Sequence, residues 1–187
     1  MPHLLKLAGG IDWLNQKLGQ LMQWLALLMV LIGVYNASAR YLGNLIGSNL
    51  SSNAYLELQW YLFGAIFMLG ASYTLRHDAH VRVDILYSRL STKGKAWIDL
   101  LGTLLFLLPF CILVLWLSWD WVAFSWKIHE MSSDPSGLAR YPIKTVVPVA
   151  FVMLILQGIS QLIKAVGVIT GHLESMTPDK TDSMEGL

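Results

Sequence analysis

The sequence predicts an all-α integral membrane protein with four transmembrane helices, a short N-terminal amphipathic helix and both termini in the cytoplasm. Three observations lead there. Only 13 % of the 187 residues are Asp, Glu, Lys or Arg, while 55 % are hydrophobic; a soluble domain carries about 25 % charged residues. The charges that exist leave four long gaps. The basic residues, finally, fall unevenly on the two sides that those gaps define.

The gaps hold 22 residues between Lys17 and Arg40, 18 between Glu57 and Arg76, 20 between Asp99 and Asp120 and 19 between Lys144 and Lys164. A bilayer core about 30 Å thick takes roughly 20 helical residues, which places spans near 18–39, 56–76, 97–119 and 144–168. Helices satisfy every backbone polar group internally, and these gaps lack the alternation of a barrel strand. The third gap is the most apolar, with nine leucines between residues 100 and 119; Pro109 in its middle predicts a kink. Ahead of the first span, Leu4, Leu7, Ala8, Ile11, Leu14 and Leu18 recur at helical spacing with Lys6 and Lys17 on the other face. That pattern predicts a short helix lying on the membrane surface, with a frayed leader as the alternative. Ala37-Ser38-Ala39 has the form of a signal-peptidase site, but the run before it is long and its charged leader extends to Lys17. The domain organisation expected is one four-span membrane domain over residues 1–173, then a solvated, flexible tail from Glu174 to Leu187.

Four spans put the leader, the second connection and the tail on one side. That side holds nine Lys and Arg, and the other holds four. The positive-inside rule makes the richer side cytoplasmic. Trp97 at the inner end of the third span, and Trp60, Trp116, Trp119 and Trp121 at outer ends, suit the headgroup level.

Several chemistries are excluded or disfavoured. A net charge of +1 gives no field that recruits nucleic acid. One cysteine permits no intrachain disulfide and no Cys-rich metal site. Gly94-Lys95 is followed by Ala96 and so is no phosphate loop. The five histidines lie outside the spans, where they cannot ligate a membrane haem axially. The interior polar residues, Asn36, Gln59, Ser72, Thr103 and Gln157, read as hydrogen-bonding groups between helices. No ionisable group interrupts the spans, so no ion or proton path is evident. No catalytic, cofactor-binding or metal-binding residue is expected.

Two connections carry the remaining chemistry. The second, Arg76-His77-Asp78-Ala79-His80-Val81-Arg82-Val83-Asp84, is basic and alternates polar with apolar from Asp78 to Ile85. It suits lipid headgroups or the face of another membrane subunit. The outer connection, 120–143, holds Trp126, Glu130, Asp134-Pro135-Ser136-Gly137 and Tyr141-Pro142, with a turn at Pro135 and Gly137.

Gly70-Ala71, Arg76, His80-Val81-Arg82-Val83-Asp84 and the opening of the fourth span, Tyr141-Pro142-Ile143-Lys144 with Pro148, together resemble the small membrane (DctQ-type) subunit of tripartite ATP-independent periplasmic (TRAP) transporters. The span from Glu130 to Pro142 is similar to the subgroup called mannitol/chloroaromatic type. The resemblance implies a bacterial inner-membrane protein without enzymatic activity or cofactor. It implies a large membrane subunit and a periplasmic solute-binding protein as partners, with lipids around them and no nucleic acid. The large subunit would move an organic acid by a sodium-coupled elevator motion, and the small one would extend its static scaffold. Glu57, Gln59, Arg76, His80, Arg82 and Asp84 are then candidates for the subunit or headgroup interface. Trp126, Glu130, Asp134 and Tyr141 are candidates for a periplasmic docking loop. The competing readings are a membrane anchor of a respiratory or redox complex and, second, a self-contained oligomeric transporter or channel.

Overall fold

A computed structural model describes residues 1–48, 50–79, 87 and 90–173. His80, Arg82, Asp84 and the tail from residue 174 lie outside the described residues. The chain forms α1 (Pro2–Ile46), α2 (Asn53–Arg76), α3 (Thr92–Lys127) and α4 (Arg140–Ile169). Among the described residues there is no strand, only one antiparallel bridge between Met131 and Ala139. α1, α3 and α4 are long and apolar enough to cross a membrane. α2, at 24 residues, has the length, but Asn53, Glu57, Gln59, Ser72 and Thr74 leave it less apolar than the other three.

Each helix stops in the same way. The residue after the last turn takes a left-handed conformation, and the next N–H reaches back five residues to a carbonyl otherwise left open. Gly47 (φ 72°) does this for α1, with Ser48 N–H donating to Gly43 at 3.0 Å. Gly171 (φ 77°) does it for α4, with His172 N–H donating to Gly167 at 2.8 Å. Asp78 and His129 take the same role after α2 and α3, without glycine's freedom. At the other end of α3, the Ser91 hydroxyl caps the helix by accepting from Gly94 N–H at 3.2 Å.

Pro109 distorts α3 as expected, one turn early. Residues Thr103–Leu107 form a π turn in which Leu108 N–H donates to Thr103. Proline at 109 has no N–H for the carbonyl of Leu105 and its ring crowds that carbonyl. Widening the preceding turn accommodates both effects.

The leader differs from expectation. It is not a separate surface helix: α1 runs unbroken from Pro2 through Lys17 into the apolar run. Its leucine stripe is the exposed side, with Leu4, Leu7 and Leu14 all open, whereas Ala8, Asp12 and Asn15 are buried. Lys6 and Lys17 lie exposed with those leucines, Ile11 and Leu18 are half-buried, and the side against protein is Ala8 with the polar Asp12 and Asn15. That is the inversion expected where lipid rather than water surrounds the chain.

The chain divides into two compact units. The first comprises Met1–Lys17, Ala71–Val114 and the chain from Phe151. Its helices approach closely at small residues: Ala8, Ala96 and Ala165 are fully buried. At Gly158 a Cβ would meet Leu107 Cδ2 at 2.9 Å, Leu108 Cδ2 at 3.1 Å and Thr103 Cγ2 at 3.4 Å. Those leucine ends can rotate aside for one methyl but not for a branched side chain. Gly158→Ala should therefore leave thermal unfolding in detergent nearly unchanged, while Gly158→Leu should cost about 1–3 kcal/mol. Equal midpoints for the two variants would remove this account of the π-turn packing. The unit also holds an open, mainly apolar groove of about 920 Å³, bordered by Leu75, Phe106, Phe110 and Leu154.

The second unit comprises Leu18–Gly70 and Leu115–Ala150. It contains the connection between α3 and α4, which folds as an ordered cap. Ser132 N–H donates to Leu138 at 3.0 Å and Arg140 N–H to Glu130 at 2.8 Å, so the strand-like arms pair. Asp134-Pro135-Ser136-Gly137 closes them, with Gly137 N–H donating to Asp134 at 3.0 Å and Ser136 left-handed (φ 61°).

Candidate functional site

The cap gathers five of the seven candidate residues that are described. Glu57, one turn into α2 and 3 % exposed, turns its carboxylate onto the cap. It accepts from the Ser132 hydroxyl and from Leu138 N–H. Around it, Arg140 donates to the Ser132 hydroxyl at 3.4 Å, Tyr61 OH to the Ala139 carbonyl at 3.1 Å and Asn53 to the Pro135 carbonyl at 3.1 Å. One carboxylate thus holds both arms of the loop, and its hydrogen bonds are charge-assisted. At Gly137 a Cβ would run first into Ser132 Cβ, and would fall 2.6 Å from Ser132 Oγ and 2.9 Å from Glu57 Oε2, which explains the need for glycine there.

Glu130 does the same work at the base of the cap. It pairs with Lys144 of α4 and accepts from the Ser125 hydroxyl of α3 at 2.7 Å. Lys144 also stands 4.5 Å from the centre of the Trp121 ring. Trp126 donates to the Thr145 hydroxyl at 2.7 Å and meets Tyr141 edge-on at 4.6 Å. Asp134 is exposed at the tip. Trp126, Glu130 and Tyr141 therefore brace the cap, while Asp134 is the candidate whose side chain points away from it.

The hydrogen bond from Lys144, then that from Ser125, holds the Glu130 carboxyl below its ordinary range, about 4.3 in an unstrained chain. A lowered value in the folded state means the pairing contributes fully above the unfolded value and is lost as pH falls through the folded one. With 5-fluorotryptophan at position 126, the fluorine shift should stay constant down to about pH 5. It should then titrate with a midpoint below the ordinary glutamate value. Glu130→Gln should abolish that step; a midpoint at or above the ordinary value would contradict the geometry.

Gln59 lies elsewhere in the second unit, its amide lying over Gly33, where a Cβ would meet Nε2 at 2.5 Å. Arg76, in the first unit, donates to the Gln16 side chain of the leader, and its charge faces the carbonyl end of α2. Of the candidates on the second connection only Arg76 is among the described residues.

The first unit also holds a polar cluster that the sequence reading missed. Asp12 pairs with Lys164, accepts from the Ser160 hydroxyl at 2.9 Å and from Gln157 Nε2 at 3.1 Å. Asn15 donates to Gln157 Oε1 at 2.7 Å, and Ser160 also donates to the Ala8 carbonyl at 3.3 Å. Asp12 and Asn15 fall three apart on α1; Gln157, Ser160 and Lys164 fall three and four apart on α4. Each set lines one face, and the two faces meet. The available signal was this matched spacing, together with an acid and a base each sitting among apolar residues.

Among the described residues no three His, Cys, Asp or Glu side chains converge as a metal site. No curated protein and no solved structure matches the chain. The model of one protein family does match, over residues 29–167: tripartite ATP-independent periplasmic transporters, DctQ component. That match covers most of the chain, from the apolar part of α1 to the last turn of α4. The chain belongs to the DctQ component family of TRAP transporters, and it is a transporter component rather than an enzyme.

Proposed function

We propose that this multi-pass membrane protein is the small permease subunit of a TRAP transporter. In this reading it pairs with a large membrane subunit, takes no part in binding solute itself, and serves sodium-coupled uptake of an organic acid delivered by a periplasmic binding protein. The proposed topology is one membrane domain of four spans, with α2 as the second, and with both termini in the cytoplasm of a bacterial inner membrane. The observation that carries the scaffold reading is how the buried polar groups are used. Asp12, Asn15, Gln157, Ser160 and Lys164 bond to one another across two helices. Apart from Asn15 Oδ1, which has no partner among the described residues, these groups spend their bonds on one another, and groups used in this way tie helices together and leave little capacity to bind a moving ion or carboxylate.

Within that reading Gln59, Arg76, His80, Arg82 and Asp84 belong to the subunit or headgroup interface. Glu57 acts indirectly, by holding the cap. The cap, with Asp134 at its tip, is the surface offered to the binding protein. The test is reconstitution of the chain with a large subunit and a binding protein in proteoliposomes under a sodium gradient. Uptake of a labelled organic acid should require all three and should vanish when this chain is left out. Transport by this chain alone, or haem absorbance in the purified protein, would overturn the proposal; haem would favour the redox-anchor reading.

A further inference from the structure

Among the described residues Arg40 has no counter-charge. It is the sole Lys or Arg between Lys17 and Arg76, and Glu57, the sole acid in that stretch, is engaged with Ser132 and Leu138. Among the described residues Arg40 forms no ion pair. It sits on α1 between Asn36 and Asn44, at intervals of four, so the three side chains share one face. With Gln59 and Leu56 of α2 they line a cleft of about 480 Å³. A further hollow of about 320 Å³ shares Arg40 and Asn44 with it. Sites for small ligands typically span about 300–1,000 Å³.

A second observation points to a ligand. Asn36 is 3 % exposed and lines this cleft, yet its Oδ1 has no hydrogen-bond partner. A buried acceptor left unpaired is costly, and the exposed Arg40 guanidinium stands as an unmatched charge near the end of an apolar helix. One ligand relieves both if it carries an anion for Arg40 and a donor for Asn36. The flank is suited to acyl chains: Tyr41, Leu42 and Leu45 are open to the surroundings, and tyrosine favours the headgroup level.

We propose that this cleft binds the headgroup of a phospholipid, with the phosphate on Arg40 and a headgroup N–H or O–H donated toward Asn36. Guanidinium and phosphate match in a two-pronged geometry. The inference requires that α1 crosses the bilayer and does not depend on the subunit role proposed above.

The test is native mass spectrometry of the full-length chain released from nanodiscs. The discs contain equal phosphatidylethanolamine, phosphatidylglycerol and phosphatidylcholine. The wild type should retain one phospholipid, preferring ethanolamine or glycerol headgroups to choline, which has no donor. Arg40→Gln should lower retention roughly tenfold or more, and Arg40→Lys should lose less. Asn36→Ala should retain phospholipid but lose the preference against choline, a result that a general loss of structure would not produce. Equal retention by the wild type and Arg40→Gln would overturn the site. Displacement of the lipid by inorganic phosphate would assign a soluble phosphate instead. A lipid-free wild type, with Arg40→Gln failing to co-purify with a partner subunit, would assign Arg40 to a protein carboxylate; either result overturns the lipid assignment.

Discussion

Asp12→Ala should be among the most destabilising single substitutions in this chain, at about 3–5 kcal/mol, read as thermal unfolding in detergent. The reason is what it leaves behind. Lys164, with its side chain 16 % exposed, loses the one carboxylate it pairs with. Gln157 Nε2 and the Ser160 hydroxyl lose their acceptor in the same step. Breaking a buried pair from one side costs more than the pair is worth, because an uncompensated charge remains. Lys164→Ala should be nearly as harmful, for the mirror-image reason. Asp12→Leu with Lys164→Met removes both charges and retains bulk, so it should recover most of the loss. By contrast, Asn15→Ala should cost little, since hydrogen bonds between membrane helices average about 0.6 kcal/mol. If Asp12→Ala unfolds at the wild-type temperature, the cluster is not what fixes the leader on α4. If the double variant is as unstable as the sum of the singles, the charge argument fails even though the contacts exist.

That cluster also marks where the sequence stopped being readable. The gaps between charges located α3 and α4, and the proline at 109 announced the disturbance in α3. Gly47 and Gly171 are where a helix-ending glycine belongs, but nothing local distinguishes Asp78 or His129 as residues that end helices in the same left-handed way. The leader's period is plain in the sequence, and its leucine stripe predicts a membrane surface. What the period cannot say is which face meets protein. In water the apolar face would be buried; here Ala8, Asp12 and Asn15 are. The choice depends on partners 142–152 positions away in the chain, and no local pattern contains them. The same holds for Glu57. Its position near the start of α2 suggested a contact surface, whereas its carboxylate is spent on Ser132 and Leu138, 75 and 81 residues further on. Asp134 stands at the turn tip that Pro135 and Gly137 mark, so its exposure follows from the local turn, although Asn53 and Glu57 of α2 fix where that turn sits.

Glu57→Ala should release the outer cap while leaving the helices in place. Two groups on opposite arms of the loop lose a shared acceptor, so the arms are no longer tied to α2. Hydrogen exchange at Leu138 N–H and its neighbours over 131–138 should accelerate by roughly 10–100-fold, with exchange in α3 and α4 unchanged. Glu57→Gln keeps a carbonyl oxygen for one of the two donors but loses the charge, and should fall between wild type and alanine. Gly137→Val should resemble Glu57→Ala, since a side chain there collides with Ser132 and then with the Glu57 carboxylate, and so breaks the Ser132–Glu57 contact. Under the docking role proposed for the cap, both variants should still assemble with the large subunit, and uptake should fall because the binding protein meets a mobile surface. Asp134→Ala should reduce uptake without changing exchange, because its side chain braces nothing. The two readouts therefore separate holding the cap from meeting the partner. If Leu138 exchanges at the wild-type rate in Glu57→Ala, the carboxylate does not hold the loop. If exchange accelerates but uptake is unaffected, the cap is ordered for some purpose other than docking.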